Sequence, residues 1–103
     1  LPKIYELLNE NAAAAVLIKP QFEAGKRDVG KGGIVKDKKV HMRVLSDIDS
    51  FAAGTGLLPE KYTFSPVKGG SGNIEYLVLL RKARGEYFIR DFKELIESSF
   101  DKL

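Results

Sequence analysis

Apolar residues run unbroken from Ala12 to Ile18 and give way at once to Lys19 and Pro20. An apolar segment of this length, closed by a residue with no backbone donor, predicts a strand over about Ala13 to Lys19 covered on both faces. Pro20 ends its pairing. Upstream, Ile4, Leu7 and Leu8 mark the apolar side of a short helix that stops near Asn9 to Asn11. From Pro20 to about Lys36 the pattern dissolves into an irregular segment containing Gly25, Gly30, Gly32 and Gly33. Glycines this dense predict tight turns or close approach to a ligand. Periodicity returns after Asp37, a residue of N-cap type. Val40, Val44, Leu45, Ile48, Phe51 and Ala52 then recur at helical spacing as far as Gly54 and Gly56, predicting an amphipathic helix of about four turns.

Tyr62 and Phe64 predict a second strand over roughly Lys61 to Pro66, followed by the turn-forming run Lys68 to Asn73. A third strand, Ile74 to Arg81, is apolar at nearly every position and is expected inside the sheet. Phe88, Phe92, Leu95, Ile96 and Phe100 outline a final amphipathic helix beyond Gly85. Strand, helix, strand is a right-handed crossover, so the first two strands are expected to be parallel. The short turn before Ile74 makes the third antiparallel to the second. With the third strand between the other two, its start lies at the same sheet edge as the end of the first, and Glu75 comes beside Lys19. The expected fold is therefore α/β: two parallel strands, an antiparallel strand between them, and flanking helices. Residues 1–83 form the α/β unit and 84–103 a carboxyl-terminal helix.

Composition narrows the class. The 103 residues are 44% hydrophobic and 30% charged, a soluble globular balance. No apolar run approaches the roughly 18 residues of a membrane span. Leu1 to Lys19 lacks the pattern of a secretory signal. Without cysteine there is no disulfide framework, thiolate nucleophile or zinc site, and the default location is the cytoplasm. The chain opens Leu1-Pro2 and its one methionine is Met42, so a longer precursor is expected. Net charge is +3, concentrated where Lys26, Arg27, Lys31, Lys36, Lys38 and Lys39 face only Glu23, Asp28 and Asp37. Such a stretch serves either an anionic partner or solubility alone.

A lysine at a strand end beside a carboxylate has two readings. As a rim ion pair it is worth about 0 to 1 kcal/mol. As chemistry, Lys19 is a general base or positioning cation and Glu75 its orienting partner. Gly25 to Gly32 nearly matches a phosphate-binding loop, but Gly32 stands where a serine or threonine would ligate magnesium, and nucleotide hydrolysis is rejected. Lys26, Arg27, Lys31 and Lys36 are instead candidate contacts to the phosphates of an anionic partner, with a solvated basic loop as the other reading. Ser71 and Asn73 in the turn are candidate substrate contacts or turn formers. His41 has no neighbour of metal-ligand type and reads as a surface or helix-packing histidine. No metal site is expected.

The segments LIKPQFEAG, GKGGIVKD with His41 after it, and FSPVKGGSGNIEYLVLL resemble the TlyA-type hemolysin family of ribosomal RNA methyltransferases, which have the FtsJ-like fold. The likeness runs from about Leu1 to Leu80. It implies the carboxyl-terminal part of a Rossmann-like class I methyltransferase sheet. The implied activity is S-adenosylmethionine-dependent 2'-O-ribose methylation of ribosomal RNA, with rRNA or a ribosomal subunit as partner. The family uses a lysine, aspartate, lysine, glutamate tetrad; Lys19 matches its second lysine and Glu75 its glutamate. The other two members have no counterpart here, nor does the glycine-rich strand and turn that hold the cofactor. The resemblance thus implies half of a catalytic domain, inactive alone. The competing readings are a non-catalytic RNA-binding module and, from the hemolysin label, a membrane-lysing protein. The last helix mixes Glu86, Asp91, Glu94, Glu97 and Asp101 among its bases, a poor match to anionic lipid.

Overall fold

The computed structural model describes residues 2–25, 29–69, 72–83 and 90–103. Its elements, in order, are α1 (Pro2–Leu7), β1 (Ala13–Ile18), α2 (Pro20–Glu23), a 3-10 turn (Lys31–Gly33), α3 (Lys38–Gly54), β2 (Leu58–Phe64), β3 (Tyr76–Arg81) and α4 (Lys93–Lys102). The strands form one sheet in the order β1-β3-β2, with β3 antiparallel to both neighbours. The helices complete an α/β arrangement.

β3 is the apolar strand expected inside the sheet, and it is central. Tyr76, Val78 and Leu80 are buried on one face, while Leu77, Leu79 and Arg81 are half-buried on the other, the alternation of a pleated strand. β1 departs from expectation. It is an edge strand with Ala15 and Leu17 exposed rather than covered on both faces, and among the described residues no strand pairs with its outer side. β2 begins at Leu58, three residues before the expected Lys61, and ends at Phe64. Pro59 hides this start from a sequence reading. It is tolerated because β2 is also an edge and its register with β3 shifts between Pro59 and Lys61.

Asp37 caps α3 as expected, its Oδ1 accepting from Lys39 N at 2.9 Å. Val40, Val44, Leu45 and Ala52 of this helix join Leu57, Ile18, Ile74, the inward residues of β3, and Phe92 and Ile96 at α4 in one core. Phe51 and Leu7, expected on apolar faces, are 56% and 75% exposed. Phe51 shares with Ile4, Val16, Leu17 and Ile48 the lining of an open groove of about 610 Å³ along β1. α1 is tied to the far end of β3 by Lys82, whose Nζ donates to the carbonyls of Tyr5 at 3.0 Å and Leu8 at 3.1 Å. These carbonyls at the helix end would otherwise lack partners. Gly56, at φ 91°, follows α3 where a Cβ would lie 2.9 Å from the Tyr5 ring, so both conformation and space favour glycine.

The last helix begins at Lys93, and Phe88 lies outside the described residues. The segment after Pro20 is less irregular than expected. α2 was invisible because four residues, PQFE, carry no periodic signal, although proline suits the first helical position.

Candidate functional site

The register Ile18↔Tyr76 sets the geometry of the candidate site. Lys19 is the first residue beyond β1 and Glu75 the last before β3, so the two flank the same end of the sheet. Lys19 lies outside the strand that was expected to include it. It stands in extended conformation before α2, and its carbonyl accepts from Phe22 N at 2.9 Å and Glu23 N at 3.1 Å. Its side chain is half-buried, with Nζ 5.7 Å from the centroid of the exposed Phe22 ring.

Glu75 does not meet Lys19 directly, contrary to the simple expectation from strand spacing. The two share no hydrogen bond or ion pair. The cause is α2. Turning at Pro20, it carries Gln21 to β3, where Nε2 donates to Glu75 Oε2 at 2.8 Å. Glu75 is only 6% exposed. Its carboxylate fills the space beside the Cα of Gly69, where a Cβ would lie 2.7 Å from Oε1 and closer still to Oε2. Gly69 N donates to Asn73 O at 2.8 Å, and Ser65 N to Glu75 O at 2.8 Å, so backbone holds both sides of the seat. Gln21 Oε1 is buried without a hydrogen-bond partner.

Asn73 is buried, and its amide is engaged at both ends. Oδ1 accepts from Val35 N at 2.9 Å and Nδ2 donates to Gly33 O at 2.7 Å. The side chain thus takes the bracing role that is the commoner one for such a residue, holding the glycine segment against the start of β3. Lys36 is exposed and lines a shallow depression with Lys68 and Gly72. Lys68, which sequence reasoning passed over as part of a turn, therefore joins Lys36 as an accessible cation. Lys26, Arg27, Ser71 and the Lys31 side chain lie outside the described residues.

His41 is neither a surface residue nor a simple packing residue. It is 1% exposed, with Nε2 2.9 Å from Val35 O and Nδ1 2.8 Å from Tyr76 Oη. A carbonyl only accepts, so Nε2 carries the proton and Nδ1 accepts from the tyrosine hydroxyl. Burial pushes the His41 pKa below its usual 6.5, against the opposing pull of the Val35 carbonyl and Asp37. The Tyr76 hydroxyl is pushed up to about 12 by burial, partly offset by Ser99, whose Oγ lies 3.1 Å away. This polar core links α3, β3 and α4 directly behind Glu75. The signal for it was in the sequence: His41 shares a helix face with Val44 and Leu45, and Tyr76 occupies an inward position of β3. Among the described residues, no group of three or more metal-ligating side chains converges, and no helix is long and apolar enough to cross a membrane.

Residues 3–82 match the model of the FtsJ-like methyltransferase family. YqxC of Bacillus subtilis is 49% identical over 80 residues, which span 78% of this chain and 28% of that protein. Hemolysin A of Brachyspira hyodysenteriae is 43% identical over 76 residues, 74% of this chain and 32% of that protein. The 16S/23S rRNA (cytidine-2'-O)-methyltransferase TlyA of Mycobacterium tuberculosis is 37% identical over 81 residues, 79% of this chain and 30% of that enzyme. A solved structure from Lactococcus lactis, designated a hemolysin candidate, superimposes with a TM-score of 0.88 at 41% identity, covering 97% of this chain and 49% of that one. The chain thus spans about a third of these curated relatives and about half of the solved one. With a match over most of its length, the chain belongs to the FtsJ-like methyltransferase family.

Proposed function

We propose that this chain is the carboxyl-terminal part of an S-adenosylmethionine-dependent methyltransferase that modifies a ribose 2'-hydroxyl of ribosomal RNA, working in the cytoplasm. The observation that carries the reading is the Ile18↔Tyr76 register, which brings Lys19 and a buried Glu75 to one end of the sheet. Parallel-strand ends are where open α/β sheets hold their chemistry. Membership of the family and the rRNA (cytidine-2'-O)-methyltransferase activity of the mycobacterial relative support the reaction class.

A ribose hydroxyl is a weak nucleophile near neutral pH, so the enzyme must align it with the methyl group and receive one proton. In this proposal Lys19 receives it. Its backbone is fixed between β1 and Pro20, while its side chain reaches solvent over Phe22. Glu75 sets the charge of the site from its seat behind Gln21. The exposed Lys36 and Lys68 contact RNA phosphates, with Lys26, Arg27 and Lys31 as further phosphate contacts and Ser71 as a substrate contact. Such contacts position a nucleic acid without reading its sequence.

S-adenosylmethionine supplies an activated methyl group on a cationic sulfonium. The end of β1 does not fit that group: it presents a lysine, and Pro20, which lacks an amide hydrogen. In this reading the cofactor is held mainly by residues outside the chain, and the exposed outer side of β1 is where the rest of the sheet joins. The chain alone is accordingly inactive.

The test uses the intact protein with radiolabelled S-adenosylmethionine and rRNA, scoring methylated riboses by their resistance to alkaline cleavage. Lys19→Ala and Glu75→Ala are expected to abolish transfer while rRNA binding persists. Undiminished transfer by Lys19→Ala refutes the role given to it. Tight rRNA binding with no transfer by the unmodified protein favours a non-catalytic RNA-binding module.

A further inference from the structure

Gln21 has no part in the lysine and glutamate chemistry proposed above, yet it is the side chain that touches Glu75. Its Nε2 donates to Glu75 Oε2 at 2.8 Å. Its other end, Oε1, is a buried acceptor with no partner. Leaving such an atom unpaired costs about 1–3 kcal/mol. The alternative placement of the amide would set Oε1 against the carboxylate oxygen, so the contact with Glu75 fixes which end is left over.

The left-over end is an acceptor on the residue two positions after Lys19. Pro20 fixes the backbone between them, and Lys19 Nζ rests against Phe22 in a cation-π contact 5.7 Å from the ring centroid, long enough to exchange readily for a charged hydrogen bond. A neutral amide can donate at one end and accept at the other, so it can stand between an ammonium and a carboxylate that do not touch.

We infer that Gln21 is the positioning residue of this site: its amide holds Glu75 and receives the Lys19 ammonium at Oε1. The inference rests on the function proposed above. When Lys19 takes the proton of the substrate hydroxyl, the new N–H faces the substrate oxygen, a second N–H of the ammonium donates to Gln21 Oε1, and the Gln21 N–H group is drawn toward Glu75. The proton lost from the hydroxyl ends on Lys19, while the ribose oxygen gains the methyl group that the sulfonium gives up. Gln21 contacts no reacting atom; it aligns Lys19 and lets Glu75 stabilise the charge across one amide.

Two variants of the intact protein test this, with methyl transfer to rRNA measured well below their melting temperatures. Gln21→Met keeps the length and removes both hydrogen bonds. It is expected to lower kcat roughly ten- to hundredfold, as misplacement of a reacting group does, with the KM for S-adenosylmethionine unchanged. Gln21→Glu keeps the shape. Protonated, the introduced carboxyl still donates to Glu75; ionised, it repels it. Since a like charge raises a carboxyl pKa, kcat of this variant should fall as pH rises from about 5 to about 8, unlike the parent. Parental kcat in Gln21→Met, or a parental pH profile in Gln21→Glu, overturns the inference. Lys19→Ala, run alongside, separates the two levels: if it is inactive while Gln21→Met is fully active, only the role of Gln21 falls, and if it is fully active, the functional reading falls as well.

Discussion

Glu75 and Gly69 occupy one volume between them: the carboxylate of Glu75 lies where the side chain of any other residue at 69 would begin. The backbone around Gly69 is pinned by the hydrogen bond that its N–H donates to Asn73 O and by the one from Ser65 N to Glu75 O, so it cannot withdraw cheaply. A buried acid is thereby held against backbone on one side and the Gln21 amide on the other.

Gly69→Ala should therefore destabilise the protein by about 1–3 kcal/mol, the usual range for overpacking, and expel the carboxylate from its seat. Adding Glu75→Ala should recover most of that loss, because the clash needs both groups. Urea unfolding of the two single variants and the double variant measures the coupling. Strictly additive effects would mean that the two residues do not compete for space.

How much of this was legible beforehand depended on signal length. The helix from Val40 to Ala52 and the central strand ending at Arg81 announced themselves through many periodic positions, and Asp37 marked where the helix starts. The shared sheet end of Lys19 and Glu75 followed from strand order alone. Their separation by Gln21 did not, because it depends on a four-residue helical turn with no periodicity. Phe51 and Leu7 fit helical spacing yet lie exposed, since spacing assigns a face but not what covers it. Asn73 had the composition of a turn residue. Its role as a brace came from the fold, which brings Gly33 and Val35 to it from about forty positions away.

The buried histidine sets the pH response of stability. Unfolded, His41 titrates at its usual 6.5; folded, burial holds it lower and it stays neutral. Between the two values the unfolded chain binds more protons, so acid favours unfolding. Stability should be fully present above about pH 6.5 and decline as pH falls through that value toward the folded pKa. His41→Gln, which cannot take a proton, should flatten this part of the profile. At the other extreme, the Tyr76 hydroxyl is held at about 12 against a usual 10.0. Stability should fall again as pH rises from about 10 to 12, and Tyr76→Phe should remove that limb. Denaturation midpoints across pH check both arms.

Asn73 offers a way to separate the frame of the site from its chemistry. Its amide satisfies Val35 N and Gly33 O, both on the segment that carries Lys31 and Lys36. Asn73→Ala leaves a buried backbone donor without its acceptor, a loss of about 1–3 kcal/mol. Val35 also accepts from His41, so the loosened segment should weaken the polar core behind Glu75. Amide hydrogen exchange at Val35 and at the start of α3 should accelerate in Asn73→Ala while the β1-β3 ladder stays protected. If instead protection is lost equally across the sheet, Asn73 supports the whole fold and not this segment in particular. Asn73→Asp keeps the acceptor for Val35 N but replaces the donor to Gly33 O, and should fall between the parent and the alanine variant in both stability and exchange at Val35.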